Sequence, residues 1–308
     1  MRTAFIETLE LLAEADSRII LMTGDLGFGV LNRYRERFPD QFYNVGVAEQ
    51  NMAGVAAGLA MSGHIVFTYS IGNFPILRCL EQVRNDICYH EADVKVVSVG
   101  GGMAYGALGP SHYATEDLTI CRALPGIAVV APGDPVEVEQ LVPQIVATPG
   151  PAYLRLGRAG EARIHDDDVR VELGRLTSVR DGDQVLLLST GGMLPEVVSS
   201  ADALLDEGIS AAVISIHSLA PFDSEALCEI AARFPLVITC EEHTVLGGLG
   251  GAVAEVLMEA GVRTRFRRFG LRNGFTEGVG SQEYLRRVNG IDADSLSDIV
   301  RSALQESK

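Results

Sequence analysis

The sequence has no tryptophan and only two lysines, Lys95 and Lys308, among its 308 residues. Its 25 basic side chains stand against 41 acidic ones, a formal net charge of −16. That balance disfavours a nucleic-acid or anionic-membrane surface, which needs clustered cations. The five cysteines, Cys79, Cys88, Cys121, Cys228 and Cys240, are odd in number, lie in apolar stretches and form no C-x-x-C pair. They read as reduced core residues of a cytoplasmic protein. No apolar run approaches membrane-spanning length. The first segment, MRTAFIETLELLAEADSR, carries acids at helical spacing where a leader would carry a basic flank and a continuous apolar core, so no signal or transit sequence is expected.

Several catalytic signatures are also missing. The glycine-rich stretches 100–106 and 247–251 fit neither G-x-G-x-x-G nor G-x-x-x-x-G-K-[ST], so dinucleotide and P-loop readings fail. The six histidines show no i, i+4 pairing and no H-E-x-x-H, so no metal site built by this chain alone is expected. Without a G-x-S-x-G elbow the simplest hydrolase reading falls as well.

What is present is apolar material: 47% hydrophobic residues, enough for about two domains at this length. Arg18–Met22, Ile65–Tyr69, Val94–Val99 and Ile127–Ala131 read as buried strands, alternating with helices over Ala4–Ala15, Glu49–Met61, Phe74–Tyr89 and Pro135–Ala147. After a polar, acidic stretch around Asp166, Asp167 and Asp168 the alternation restarts and runs to a last helix at Ala293–Leu304. The expected fold is α/β, two doubly wound parallel-sheet domains at 1–163 and 181–308 joined by a linker at 164–180.

One carboxylate is out of place. In NVGVAEQNMAGVAAGLA, residues 44–60, Glu49 opens a helix that is small and apolar on every face and is therefore expected to be buried. An acid in a first turn is ordinarily a partner of the helix dipole. Removed from water with no cation nearby, it becomes a proton partner in need of a ligand.

The segments TGDLG (23–27), FPDQFYNVGVAEQNMAGVAAGLA (38–60), GALGPSHYATEDL (106–118) and PAYLRLGR (151–158) resemble the pyrimidine-binding domain of transketolase-type thiamine diphosphate enzymes. HSLAPFD (217–223) and TCEEHTVLGGLGGAVAEVL (239–257) are similar to their C-terminal domain. The resemblance covers essentially the whole chain, and most nearly suggests the C-terminal chain of a split, two-subunit transketolase.

That resemblance implies that Glu49 hydrogen-bonds N1′ of the coenzyme's aminopyrimidine, favouring the imino tautomer that draws the proton from thiazolium C2. It places Phe74 as the stacking wall, Ile71 where the family often has a second aromatic, and Asp25 near the cofactor; Arg78, one helical turn after Phe74, is expected to face the same cavity by its spacing. His112 falls near the reacting carbon, and Arg2 and Arg158 where a substrate phosphate is held. Three positions depart from the pattern: Gly100 where a histidine is common, Leu108 where an aspartate reads sugar hydroxyls, and Gly29 where a serine assists with phosphate. No G-D-G motif occurs, so the diphosphate and Mg²⁺ are expected on a separate N-terminal subunit, the two forming a heterotetramer.

The activity implied is transfer of a two-carbon ketol or acyl unit from a small sugar or keto acid to a carbonyl acceptor. A decarboxylating 2-oxo acid relative, such as an E1β or deoxyxylulose phosphate synthase chain, and a non-catalytic partner subunit are the alternatives. The reading requires Glu49 to be held away from solvent and free of any cation from its own chain.

Overall fold

The computed structural model describes residues 1–272, 274–276 and 278–306. Its first half runs α1 (Arg2–Ala15), β1 (Ile19–Thr23), α2 (Asn32–Arg37), β2 (Phe42–Asn44), α3 (Glu49–Met61), β3 (Ile65–Ile71), α4 (Leu80–Gln82), β4 (Val94–Val99), α5 (Asp117–Ala123), β5 (Ala128–Val130), α6 (Pro135–Ala147) and β6 (Ala152–Leu156). The second half runs β7 (Thr177–Arg180), β8 (Val185–Ser189), α7 (Leu194–Asp206), β9 (Ala211–Ser215), β10 (Ser218–Ala220), α8 (Ser224–Ala231), β11 (Leu236–Thr244), α9 (Leu249–Glu259), β12 (Arg265–Leu271), α10 (Gln282–Val288) and α11 (Ala293–Gln305).

Two sheets result, ordered β10-β5-β6-β4-β3-β1-β2 and β12-β11-β8-β9-β7. Both are parallel except at one edge strand each, β10 and β7. Central strands such as β1, IILMT, are buried at every position because helices cover both faces. On one side α1 packs Phe5, Leu9 and Ala13, a helical stripe, onto β1, β3 and β6; on the other α3 packs Met52, Ala53, Ala56 and Ala57. Each large side chain so buried contributes about 1.5–3 kcal/mol. The second sheet is sandwiched the same way between α7 and α11 on one face and α8 and α9 on the other.

Three features depart from the sequence expectation. The helix expected over Phe74–Tyr89 is turns from Gly72 to Cys79, followed by α4 and a π-helical stretch Val83–Cys88. Pro75 has no N–H to give, and Gly72, at φ +52, sits in a left-handed conformation. The segment 217–223 reaches back: β10 pairs antiparallel with β5 of the first sheet. Helix α3 is not buried all round, since Gln50, Asn51, Gly54, Val55, Gly58 and Met61 form a face that is exposed among the described residues.

The stretch 164–180 is tied down at both ends. Gln140 and Gln144, one turn apart on α6, each donate a side-chain N–H to a backbone carbonyl, of Val169 and Val171, and accept from the N–H of Val171 and Leu173. Its last residues, Thr177–Arg180, are β7. The halves are further joined by buried charge. Arg155 on β6 donates to Asp117 (2.8 Å) and to the carbonyls of Ala114 and Glu242, while the Glu242 carboxylate receives the Met103 N–H, Gln282 and Arg286. Removing one partner of such a pair strands a buried ion and costs about 3–5 kcal/mol.

Beside this network Glu241 accepts the N–H groups of Leu249 and Gly250 at the start of α9, at 2.7 and 2.8 Å. Burial pushes its carboxyl up to about 7 against the pull of those donors. The folded chain therefore holds this proton more tightly than the unfolded chain does. Stability from this group is highest below the ordinary carboxylate range, declines as pH rises to 7, by about 3 kcal/mol in all, and is level above it. Glu241→Gln should flatten that decline in urea midpoints measured from pH 5 to 8; an unchanged slope would contradict the assignment.

Candidate active site

The site is assembled from strand ends. Where β1 stops, Gly24 lets the chain turn close to the loop before α3: a β-carbon there would lie 3.3 Å from the Gly46 carbonyl and 3.7 Å from the Glu49 side chain. Asp25 takes a left-handed φ of +57, tolerable for a short polar side chain. Asn44, ending β2, locks this turn to the α3 loop by accepting the N–H groups of Asp25 and Gly46, both at 3.0 Å, and donating to the Asp25 carboxylate. Glu49 is thereby fixed as the first residue of α3, 3% exposed.

One expectation for Glu49 is met and one is corrected. The carboxylate is out of water, but it is not free of cations: its Oε2 accepts from Arg78 Nη1 at 2.8 Å. The turn 72–79 lays Arg78 over the site, its side chain 45% exposed. Oε1 makes no hydrogen bond among the described residues. The Arg78 guanidinium sits 4.4 Å from the Phe74 ring centroid, and the Phe74 ring meets His112 edge-on at 5.1 Å. Glu49, Arg78, Phe74 and His112 are therefore contiguous, with Ile71 half-buried at the end of β3 behind them.

His112 ends a 3₁₀ turn, Pro110–His112, with Nδ1 3.0 Å from Ser111 Oγ. Its backbone is gripped against the β3 turn, for a β-carbon on Gly72 would come within 2.5 Å of the His112 carbonyl oxygen. The same loop, running back through Leu108, forms one wall of a cleft of about 750 Å³ between the two halves. Arg158 and Tyr105 line it too, the guanidinium 5.6 Å from the ring, and Arg158 has no ion-pair partner among the described residues. Gly100 lies beneath: φ is +89, and any β-carbon there would run into the Tyr105 ring, so the fold leaves no room for a histidine.

Arg2 is half-buried on α1, its Nε without a partner, and lies outside the cleft lining. The site thus has two parts, a carboxylate–aromatic–imidazole group and a cleft with one unpaired guanidinium. The sequence reading named both but missed Tyr105, whose signal is an aromatic just after three glycines. Among the described residues no group of His, Cys, Asp and Glu is placed to hold a metal ion.

Residues 1–160 match the family described as transketolase, pyrimidine binding domain, and residues 174–296 match transketolase, C-terminal domain. The chain belongs to the transketolase family. Thiamine diphosphate is that family's coenzyme. This transketolase-family chain is 37% identical over 304 residues to 6-deoxy-6-sulfo-D-fructose transketolase subunit SqwH of Clostridium sp., covering 98% of the chain and 93% of the relative. It is 36% identical over 267 residues to an apulose-4-phosphate transketolase subunit of Actinobacillus succinogenes, covering 87% and 86%. A solved structure titled split gene transketolase, inactive beta4 tetramer, superposes with a TM-score of 0.90 at 35% identity, covering 99% of this chain and 98% of that one.

The grip of Gly72 on His112 is testable. Gly72→Ala adds a clash to an unfavourable left-handed φ, and should lower stability by about 1–3 kcal/mol in thermal unfolding. A neutral result would mean that the His112 loop is not held there.

Proposed function

We propose that this chain is the C-terminal subunit of a two-component, thiamine diphosphate-dependent transketolase-like enzyme that moves a two-carbon ketol or acyl unit onto a carbonyl acceptor. The observation that carries the reading is Glu49: a carboxylate withdrawn from water beside an aromatic face and an imidazole, whose Oε2 is paired to the half-exposed Arg78 and whose Oε1 has no hydrogen bond among the described residues. An aminopyrimidine, with one ring nitrogen to accept or share a proton and a flat face to stack, suits that donor set. The Arg78 guanidinium does not, because it covers the Phe74 face and holds Oε2.

Bound thiamine diphosphate supplies a nucleophilic carbon for addition to a substrate carbonyl. The chain's own residues divide the remaining work. Glu49 holds the proton at N1′, where a dry pocket strengthens the interaction. Phe74, with Ile71 behind it, presents the stacking face and keeps water out, while Asp25 shapes the turn at the β1 end of the pocket. His112 donates to the oxyanion that develops on the reacting carbonyl, or shuttles a proton there. Arg158 takes the anionic end of the substrate, Arg2 on α1 being a second candidate for it, and a guanidinium fork suits phosphate and sulfonate alike. Both relatives described above are named for sugars that carry such a group.

The diphosphate and Mg²⁺ then belong to a partner subunit, and the exposed face of α3 beside Glu49, Gln50 to Met61, is where a second chain fits. A heterotetramer of two such pairs and a cytoplasmic location, suited to five free thiols, complete the proposal. Domain limits at 1–163 and 181–308 go with it. A decarboxylating variant, with a 2-oxo acid as donor, is favoured by one observation: Leu108, 53% exposed at the cleft, offers nothing to a donor hydroxyl.

Reconstitution with the partner chain, assayed on hydroxypyruvate, pyruvate and ketose phosphates, separates the donors. Glu49→Gln should abolish turnover while assembly survives; undiminished turnover would favour a non-catalytic subunit. Arg158→Ala should raise KM for a phosphorylated or sulfonated substrate about 10- to 100-fold and leave kcat nearly intact, reflecting a lost charge-assisted contact of about 1.5–3 kcal/mol. An unchanged KM would place the anion elsewhere.

A further inference from the structure

The Glu49–Arg78 pair makes, within one chain, the two contacts that the proposed coenzyme ring would need. The guanidinium is planar, lies over the Phe74 ring at 4.4 Å, and donates to the Glu49 carboxylate at 2.8 Å. Stacking on an aromatic face while hydrogen-bonding a carboxylate is what a guanidinium does well, and it is also the recognition chemistry of an aminopyrimidine. Two planar groups cannot occupy one face of Phe74 together.

We propose that Arg78 gates the pyrimidine site, standing in for the coenzyme ring on Glu49 and Phe74 and giving way when the ring enters. This rests on the functional reading above. The geometry makes the exchange easy in one direction only. Arg78 is 45% exposed, reaches Oε2 through one nitrogen, and springs from a turn, so it can swing outward without disturbing packed core. Glu49 is 3% exposed and cannot follow. A buried carboxylate left without any donor is costly, so Arg78 departs only as a replacement donor arrives.

Two properties follow from the gate. With Arg78 in place, Glu49 Oε2 and the Phe74 face are both occupied. The coenzyme's observed affinity is lowered by the fraction of chains in which the gate is closed, a competition internal to the protein.

The test is a titration of thiamine diphosphate, with saturating Mg²⁺, into the chain co-purified with its partner, followed by calorimetry and by tyrosine fluorescence, for wild type, Arg78→Ala and Arg78→Gln. Removal of the gate should tighten thiamine diphosphate binding about tenfold and speed its association. Arg78→Gln, which keeps a neutral donor for Glu49, gives the same reading if the alanine variant folds poorly. Unchanged or weaker binding in a folded variant would overturn the gate, the weaker result marking Arg78 as a direct coenzyme contact. Failure of wild type and variants alike to bind thiamine diphosphate would overturn the functional reading and the gate with it.

Discussion

A carboxylate taken out of water must be met by a positive charge or by hydrogen-bond donors, and the first half of this chain is arranged around one such group. Glu49 reaches its place because Gly24 lets two loops close together, because Asn44 ties them, and because α3 begins at that residue. Its neighbours follow from the same strand ends: Phe74 after β3, His112 from the loop after β4. The ion pair with Arg78 satisfies the charge within the chain, yet it does so with a half-exposed side chain on a turn. A permanent structural pair would ordinarily be enclosed on both sides, as Arg155 and Asp117 are, at 3% and 0% exposure.

That second pair shows what permanence looks like here. Arg155, Asp117, Glu242 and Arg286 bind strands and helices from both halves, and β10 carries a piece of the second half into the first sheet. The cleft lined by Arg158 and Leu108 lies along this seam, so its width is set by a rigid polar network and not by loops alone.

Much of the fold was legible because parallel strands buried on both faces are nearly continuous apolar runs, such as IILMT, and need no partner to be recognised. Elements defined by distant partners were not. In β6, AYLRL, the arginine interrupts the run, and partners on distant segments, Asp117 and the carbonyls of Ala114 and Glu242, explain its burial. Strand β10 exists because of its pairing with β5. The turn at 72–79 has helical spacing of apolar residues, which Pro75 and Gly72 override. At the site, Glu49, Phe74 and His112 were legible as parts of motifs, and the spacing of Arg78 from Phe74 pointed it to the same cavity, whereas its ion pair with Glu49, 29 residues away, was not foreseen.

The central claim is that Glu49 reads a coenzyme ring at a seam between two polypeptides. A crystal or electron-microscopy structure of the chain with its co-purified partner, thiamine diphosphate and Mg²⁺ tests it most directly. The account predicts the aminopyrimidine N1′ within hydrogen-bond distance of the Glu49 carboxylate, its ring on Phe74, and Arg78 turned away. A complex in which the coenzyme lies elsewhere, with Glu49 still held by Arg78, would contradict it.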